Sequence, residues 1–238
     1  MNAVILAAGC GSRLNPLTLQ YPKPLVNING TTIVERQIEF LNNIGVDDIY
    51  IVVGYMAEQF SFLEHRYNVK LIINPEYKSR SNFYSLYLCA KILSDTWIFE
   101  GDVFFTRNFL SCELPTSFFF VGPKRYLQGD GRFVIDQNNK VAEIIPMEWT
   151  SEPIENKQNI LVPAGVSYWT RDSMKILVDA MKLAEDSGRA LSFRSWDYIV
   201  IENLTNVELS AKVISERDWF EIDTLFDYKL ALEFQLDK

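Results

Sequence analysis

The first half of the chain alternates between two hydrophobic periods, and few folds satisfy that alternation. Val4-Ile5-Leu6, Ile49 to Val53, Val69 to Ile73 and Trp97-Ile98-Phe99 are short apolar runs of strand length. Between them come Ile33, Val34, Ile38 and Leu41, then Met56, Phe60, Leu63 and Tyr67, then Phe83, Leu86, Ala90 and Leu93. Each of these sets recurs at steps that share one helical face. Asn29-Gly30 marks a turn ahead of the first helix. The order β-α-β-α-β-α-β predicts an α/β, doubly wound, mainly parallel Rossmann-like sheet, with crossover helices between its strands.

From Thr116 onward the pattern changes to short strands at Phe118 to Val121, Phe133 to Ile135, Val141 to Ile145 and Val162 to Trp169. A helix over Met174, Leu177, Met181 and Ala184 follows, another around Phe193, Trp196 and Val200, and a strand at Trp219 to Ile222. We read 1-238 as a single domain with a small C-terminal α+β subdomain, its halves being 1-115 and 116-238, because 238 residues suffice for one sizeable core. The polar stretch Trp149 to Gln158 predicts a mobile loop.

Composition removes several functions. A formal charge of -8 argues against nucleic acid or an anionic membrane as partner, since both are bound by basic faces. No apolar run approaches the roughly 20 residues of a spanning helix. The start Met1-Asn2-Ala3-Val4 lacks a basic region and reads as a first core strand, not a signal peptide. Cys10, Cys89 and Cys112 have no metal-ligand spacing and fit reduced thiols, so the expected location is cytoplasmic. His65, the single histidine, sits between Glu64 and Arg66 and reads as a solvated surface residue, which excludes a histidine-based metal cluster.

The chemistry concentrates after the first strand, in Leu6-Ala7-Ala8-Gly9-Cys10-Gly11-Ser12-Arg13-Leu14, followed by Pro16-Leu17-Thr18 and Pro22-Lys23-Pro24-Leu25. Small residues there let backbone N–H groups approach a phosphate chain, and Arg13 and Lys23 supply positive charge. The glycines alone would also suit an ordinary turn; no Gly-Lys-Ser/Thr follows, so this is not a P-loop. Glu100-Gly101-Asp102 ends the strand at Trp97 to Phe99, where ligands sit in open α/β sheets, although an exposed turn acid would look the same.

These motifs are similar to the signature of the nucleotidyltransferase superfamily that makes activated sugars and alcohols. Within it the chain most resembles the bacterial CTP:phosphocholine cytidylyltransferases, through Ile38-Glu39-Phe40-Leu41, Val52-Val53-Gly54-Tyr55, Asn82-Phe83-Tyr84-Ser85-Leu86-Tyr87, Gly165-Val166-Ser167-Tyr168-Trp169, Trp196-Asp197 and Glu221-Ile222-Asp223. The resemblance makes 1-115 the nucleotide-binding half and 116-238 the acceptor-binding half. It implies CTP and Mg2+, with Asp102 and Asp223 as the metal's carboxylates. Arg13 and Lys23 are then catalytic, Arg13 gripping the triphosphate and Lys23 the reacting phosphates. Leu6, Ala7, Ala8, Gly9 and Gly11 would cradle the nucleotide's phosphates, while Gly54, Tyr55, Asn82 and Ser85 would surround cytosine and ribose. Read without the resemblance, Asp223 and Asn82 each suit a helix N-cap.

For the acceptor, the family pattern implies an aromatic and acidic enclosure around a quaternary amine. Here the corresponding stretches read Asp130-Gly131-Arg132-Phe133 and Phe193-Arg194-Ser195-Trp196-Asp197. Arg132, Trp196 and Asp197 are the expected acceptor-binding residues; Lys124, Arg125 and Arg132 flank the strands that the resemblance makes the pocket wall, Arg194 sits beside Trp196 and Asp197, and all four basic residues would also suit a solvated face. An inward arginine would favour a small phosphonate or phosphate carrying an amine or acid over phosphocholine. Two rivals share the loop and acids: a sugar-1-phosphate nucleotidyltransferase and a catalytically silent regulatory module. The sequence leaves open whether the chain acts alone or as a homodimer.

Overall fold

The computed structural model describes residues 1–123, 131–146 and 160–234. Lys124, Arg125, Asp130 and the stretch Trp149 to Gln158 lie outside the described residues.

Period-two alternation in the first strand builds both layers of the fold. In β1 (Asn2–Ala7), Ala3, Ile5 and Ala7 enter one core, and Val4 and Leu6 enter another on the opposite face. On the first face lie α1 (Ile33–Asn43) and α2 (Ser61–Tyr67), delivering Val34, Ile38, Leu41 and Leu63. On the second lie α3 (Asn82–Leu88), α4 (Arg171–Asp186) and α5 (Asp197–Glu202), delivering Phe83, Met174, Leu177, Ile199 and Val200.

Beside β1 run β4 (Ile49–Val53) and β6 (Thr96–Glu100), both parallel to it, and β5 (Lys70–Ile73) extends β4 in parallel. This is the predicted doubly wound half. On the other side of β6 the sheet becomes antiparallel at β11 (Leu161–Trp169) and continues into β8 (Ser117–Pro123), β9 (Arg132–Ile135) and β10 (Val141–Ile145). The second half therefore extends the first half's sheet, and the two share a nine-stranded surface.

Three short pieces complete the frame. A hairpin of β2 (Asn27–Ile28) and β3 (Thr31–Thr32) turns at Asn29 and Gly30, both at positive φ (52° and 98°), as a two-residue primed turn requires. β7 (Val103–Phe105) pairs antiparallel with β13 (Trp219–Glu221), and β12 (Leu209–Val213), which the sequence pattern did not show, lies parallel to β8. α6 (Leu225–Glu233) packs Ala231 with Leu14, Ile28, Ile33, Phe104 and Ile222 in a third apolar cluster.

Three predicted helices are shorter than their periodicity suggested. Met56 turns at φ 49° and a 3-10 segment, Ala57–Phe60, precedes α2; α3 stops at Leu88; and Phe193 and Trp196 precede α5. In each case apolar residues just outside the helix are drawn into the core by the sheet, so burial continues where the helix does not.

Candidate active site

β1 and β6 are neighbours and run the same way, so the loop after one and the turn after the other emerge side by side at the carboxyl edge of the sheet. They touch there: the Gly101 N–H donates to the Leu6 carbonyl at 2.9 Å, and a Cβ on Gly101 would lie 2.9 Å from that same oxygen. Gly11 is constrained as well. It sits at φ 57° and packs so closely that an added Cβ would be 3.0 Å from Cβ of Lys23.

The second carboxylate arrives from the far end of the chain. Pairing of β13 with β7 sets Glu221 opposite Val103, and the Ile222 N–H donates to the Asp102 carbonyl at 2.9 Å. Asp223 follows immediately, only 3% exposed. It is not a helix cap: Thr224 caps α6 in a capping box with Asp227, leaving the Asp223 carboxylate to the site. Glu221, two residues earlier on the strand, faces the same way, so that Asp102, Glu221 and Asp223 each offer an oxygen within 4.8 Å of the others.

Lys23 sits in this acidic cluster. Its Nζ is 2.6 Å from Asp223 Oδ1 and 2.9 Å from Asp102 Oδ2, and Arg13 reaches the same Asp223 oxygen at 2.9 Å. Burial by itself would depress the ammonium's pKa. Asp102, Asp223 and Glu221 more than reverse that and hold it above the ordinary lysine range. A field that overcomes the desolvation of a buried ammonium, made of hard carboxylate oxygens, fits a divalent cation such as magnesium.

Three cavities meet at Asp102. The first, about 230 Å³, is bounded by the Gly9–Arg13 loop, Leu6, Ala7, Lys23 and Asp223. The second, about 220 Å³, is lined by Ala8, Asn74, Tyr77, Arg80, Asn82, Ser85 and Glu100. The third, about 400 Å³, is lined by Arg13, Asn82, Glu100, Gly131, Arg194, Ser195, Asp197, Tyr198, Trp219 and Glu221.

Most of the sequence-predicted site residues converge there. Asn82 is not an N-cap; its Oδ1 accepts from the Trp196 N–H at 2.8 Å, and Ser85 Oγ accepts from Asn74 Nδ2 at 2.9 Å. Gly54 and Tyr55 stand one layer back. A Cβ on Gly54 would lie 2.6 Å from Cβ of Tyr77, and the Tyr55 hydroxyl donates to the Thr18 carbonyl at 2.9 Å, bracing the loop. His65 is exposed, as expected, and burial pushes the Cys89 thiol up to about 12.

Two acceptor expectations need correction. Arg132 is exposed and does not line the third cavity, because strand alternation sends its neighbour Phe133 inward against Phe119 and turns Arg132 out. Trp196 is 2% exposed, stacked on Phe119 and edge-on to Trp169, so its face belongs to the core; its indole N–H reaches Glu100 Oε1 at 3.3 Å. Asp197 does line the cavity and accepts a hydrogen bond from Ser195.

Sequence reasoning missed Asn74, Tyr77 and Arg80, and it quoted Glu100 and Glu221 within their motifs without giving either a role. Glu221 had a readable signal, its two-residue spacing from Asp223 on a strand; the residues from 74 to 80 have no periodicity to reveal them.

A phosphate-sized cleft beneath a small-residue loop, with carboxylates and a bridging lysine at the strand ends, meets the needs of nucleotidyl transfer and places the chain in the nucleotidyltransferase class. Residues 3–105 match the MobA-like NTP transferase domain family. The choline-phosphate cytidylyltransferase of Streptococcus pneumoniae is 33% identical over 96% of this chain and 96% of its own length. The 2-aminoethylphosphonate cytidylyltransferase of Lancefieldella rimae is 32% identical over 94% and 89%. A solved structure of CTP:phosphocholine cytidylyltransferase from Streptococcus pneumoniae superposes with a TM-score of 0.89 at 32% identity, covering 98% of this chain and 97% of that one. The chain belongs to this bacterial cytidylyltransferase family.

Proposed function

We propose that the protein transfers CMP from CTP to the phosphate or phosphonate oxygen of a small, amine-bearing acceptor, releasing pyrophosphate. The observation that carries this reading is that Asp102, alone among the described residues, borders all three cavities, so a phosphate cleft, a nucleoside cavity and a larger acceptor cavity share one acidic corner.

The acceptor oxygen attacks the α-phosphorus, the bond to the bridging oxygen breaks, and pyrophosphate leaves with the electron pair. No enzyme nucleophile is needed, since a phosphate monoester with a second pKa of about 6 is already ionised. The chain contributes position and charge. Arg13, which borders both the phosphate cleft and the acceptor cavity, suits contact with the transferring phosphoryl group, and Lys23 suits neutralisation of the triphosphate. Asp102 and Asp223, with Glu221 in reach, would hold magnesium, which supplies charge neutralisation and phosphate alignment when bound. Identity of 33% and 32% to cytidylyltransferase relatives along nearly the whole chain supports this activity over a sugar-1-phosphate acceptor, and retention of Lys23, Asp102 and Asp223 supports it over a silent module.

Among the described residues, Glu100, Asp197 and Glu221 line the acceptor cavity, which suits a cationic tail on the acceptor. Trp196 offers no ring face, and Arg194 also borders the cavity. The carboxylates reward hydrogen-bond donors, so we favour a primary ammonium such as that of 2-aminoethylphosphonate; Tyr198 and Trp219, which also line the cavity, make trimethylammonium the alternative that the test decides. The test is catalytic efficiency, by pyrophosphate release, for phosphocholine, phosphoethanolamine and 2-aminoethylphosphonate, with CTP against ATP and GTP. We expect CTP and the primary amines to win. A tenfold advantage for phosphocholine, about 1.4 kcal/mol, would overturn the acceptor reading, and equal rates with a purine triphosphate would overturn the base assignment.

A further inference from the structure

We infer that Gln37, a core residue of α1, is a positioning residue that holds the turn presenting Asp102, and that divalent-ion binding at the acidic corner depends on it. Gln37 is fully buried. Its single amide nitrogen donates to the carbonyls of Glu100 and Val103, each at 2.8 Å, and these two residues flank Gly101 and Asp102. One NH2 group thus spans the turn from behind and uses both its hydrogens to do so.

The rest of the turn is fixed by backbone bonds at its other faces, Gly101 N–H to Leu6 and Ile222 N–H to the Asp102 carbonyl. Gln37 is the only side chain among the described residues that donates to both flanking carbonyls. Its own Oε1 is buried with no partner among the described residues, a cost the fold tolerates while both donors are engaged. A buried acceptor left unmatched to secure two carbonyls beside a candidate ligand is the arrangement expected when ligand position matters. Outer residues that orient metal ligands change ion affinity by roughly 10–100-fold when replaced.

This inference rests on the metal-site reading above, and direct ion binding separates the two. Mn2+ would be titrated into the whole protein with a non-hydrolysable CTP analogue and free ion followed by electron paramagnetic resonance. Three proteins are compared: wild type, Gln37→Met, and Ile38→Ala as a control that damages the same buried helix without touching the turn. We expect Mn2+ affinity to fall about tenfold or more in Gln37→Met and to stay within about twofold in Ile38→Ala. With acceptor present, kcat should fall in Gln37→Met while KM for CTP stays within about threefold. Equal affinity in Gln37→Met and wild type, or equal losses in both variants, would overturn the positioning role. A wild type that binds no Mn2+ would overturn the metal reading on which it stands. Should Gln37→Met not fold, Gln37→Asn, which keeps both donors but stops a methylene short, carries the same comparison.

Discussion

Replacing Lys23 with methionine keeps the side chain's length and removes its charge, and the structure sets the consequence. Asp102 and Asp223 offer oxygens no more than 4.8 Å apart, held together by one ammonium at 2.9 and 2.6 Å. Without it, two carboxylates at that separation repel by about 3.5 kcal/mol at an effective dielectric of about 20, close to the roughly 3–5 kcal/mol measured when one partner of a buried pair is removed. Arg13 still reaches Asp223 and Asp102 is partly exposed, so we expect a loss of about 3 kcal/mol. For a chain of 238 residues this lowers the melting temperature by roughly 6–12 °C.

The pH dependence distinguishes this loss from a packing defect. In the wild type, Lys23 is raised above its unfolded value, so its contribution is complete at neutral pH and is lost only as pH rises through the folded pKa. In Lys23→Met the two carboxylates repel with no ammonium between them, and protonating either one relieves that repulsion, so the deficit is present at neutral pH and shrinks in acid. Magnesium, which then competes with no ammonium, should stabilise the variant more than the wild type. The assay is thermal denaturation at several pH values with and without magnesium. A Lys23→Met protein melting within 2 °C of wild type, or one whose deficit is unchanged by both acid and magnesium, would refute the reasoning.

Asp102→Asn and Asp223→Asn should each cost about a hundredfold or more in kcat while circular dichroism stays native, because each removes charge from the corner the cavities share; a folded Asp102→Asn enzyme with near-normal turnover would end the metal assignment. Gly54→Ala drives a methyl to 2.6 Å from Cβ of Tyr77, so it should raise KM for CTP by about tenfold with a smaller change in kcat, and an unchanged KM would show that Tyr77 does not shape the nucleoside cavity.

The amino-acid sequence determined whatever depends on neighbours along the chain. The alternation of Ala3, Ile5 and Ala7 against Val4 and Leu6, with a helical face after each strand, specified a sheet covered on both sides. Small residues after the first strand and an acid after Phe99 marked its carboxyl edge, because those chemistries are local. Local periodicity reports that a residue is buried, not what buries it, and there the reading stopped. Trp196 looked like a wall of the acceptor cavity, and Phe119 and Trp169 make it core; Arg132 looked inward, and the register that seats Phe133 turns it out. Gln37, Tyr77 and Arg80 carried no signal in the sequence pattern, because what they touch lies far along the chain or in an aperiodic stretch. Only the tertiary structure joins β13 to β7, which sets Glu221 and Asp223 against Asp102 around one lysine. That corner exists only in the folded chain, since like charges held so close need a cation and a buried frame that no single segment can supply.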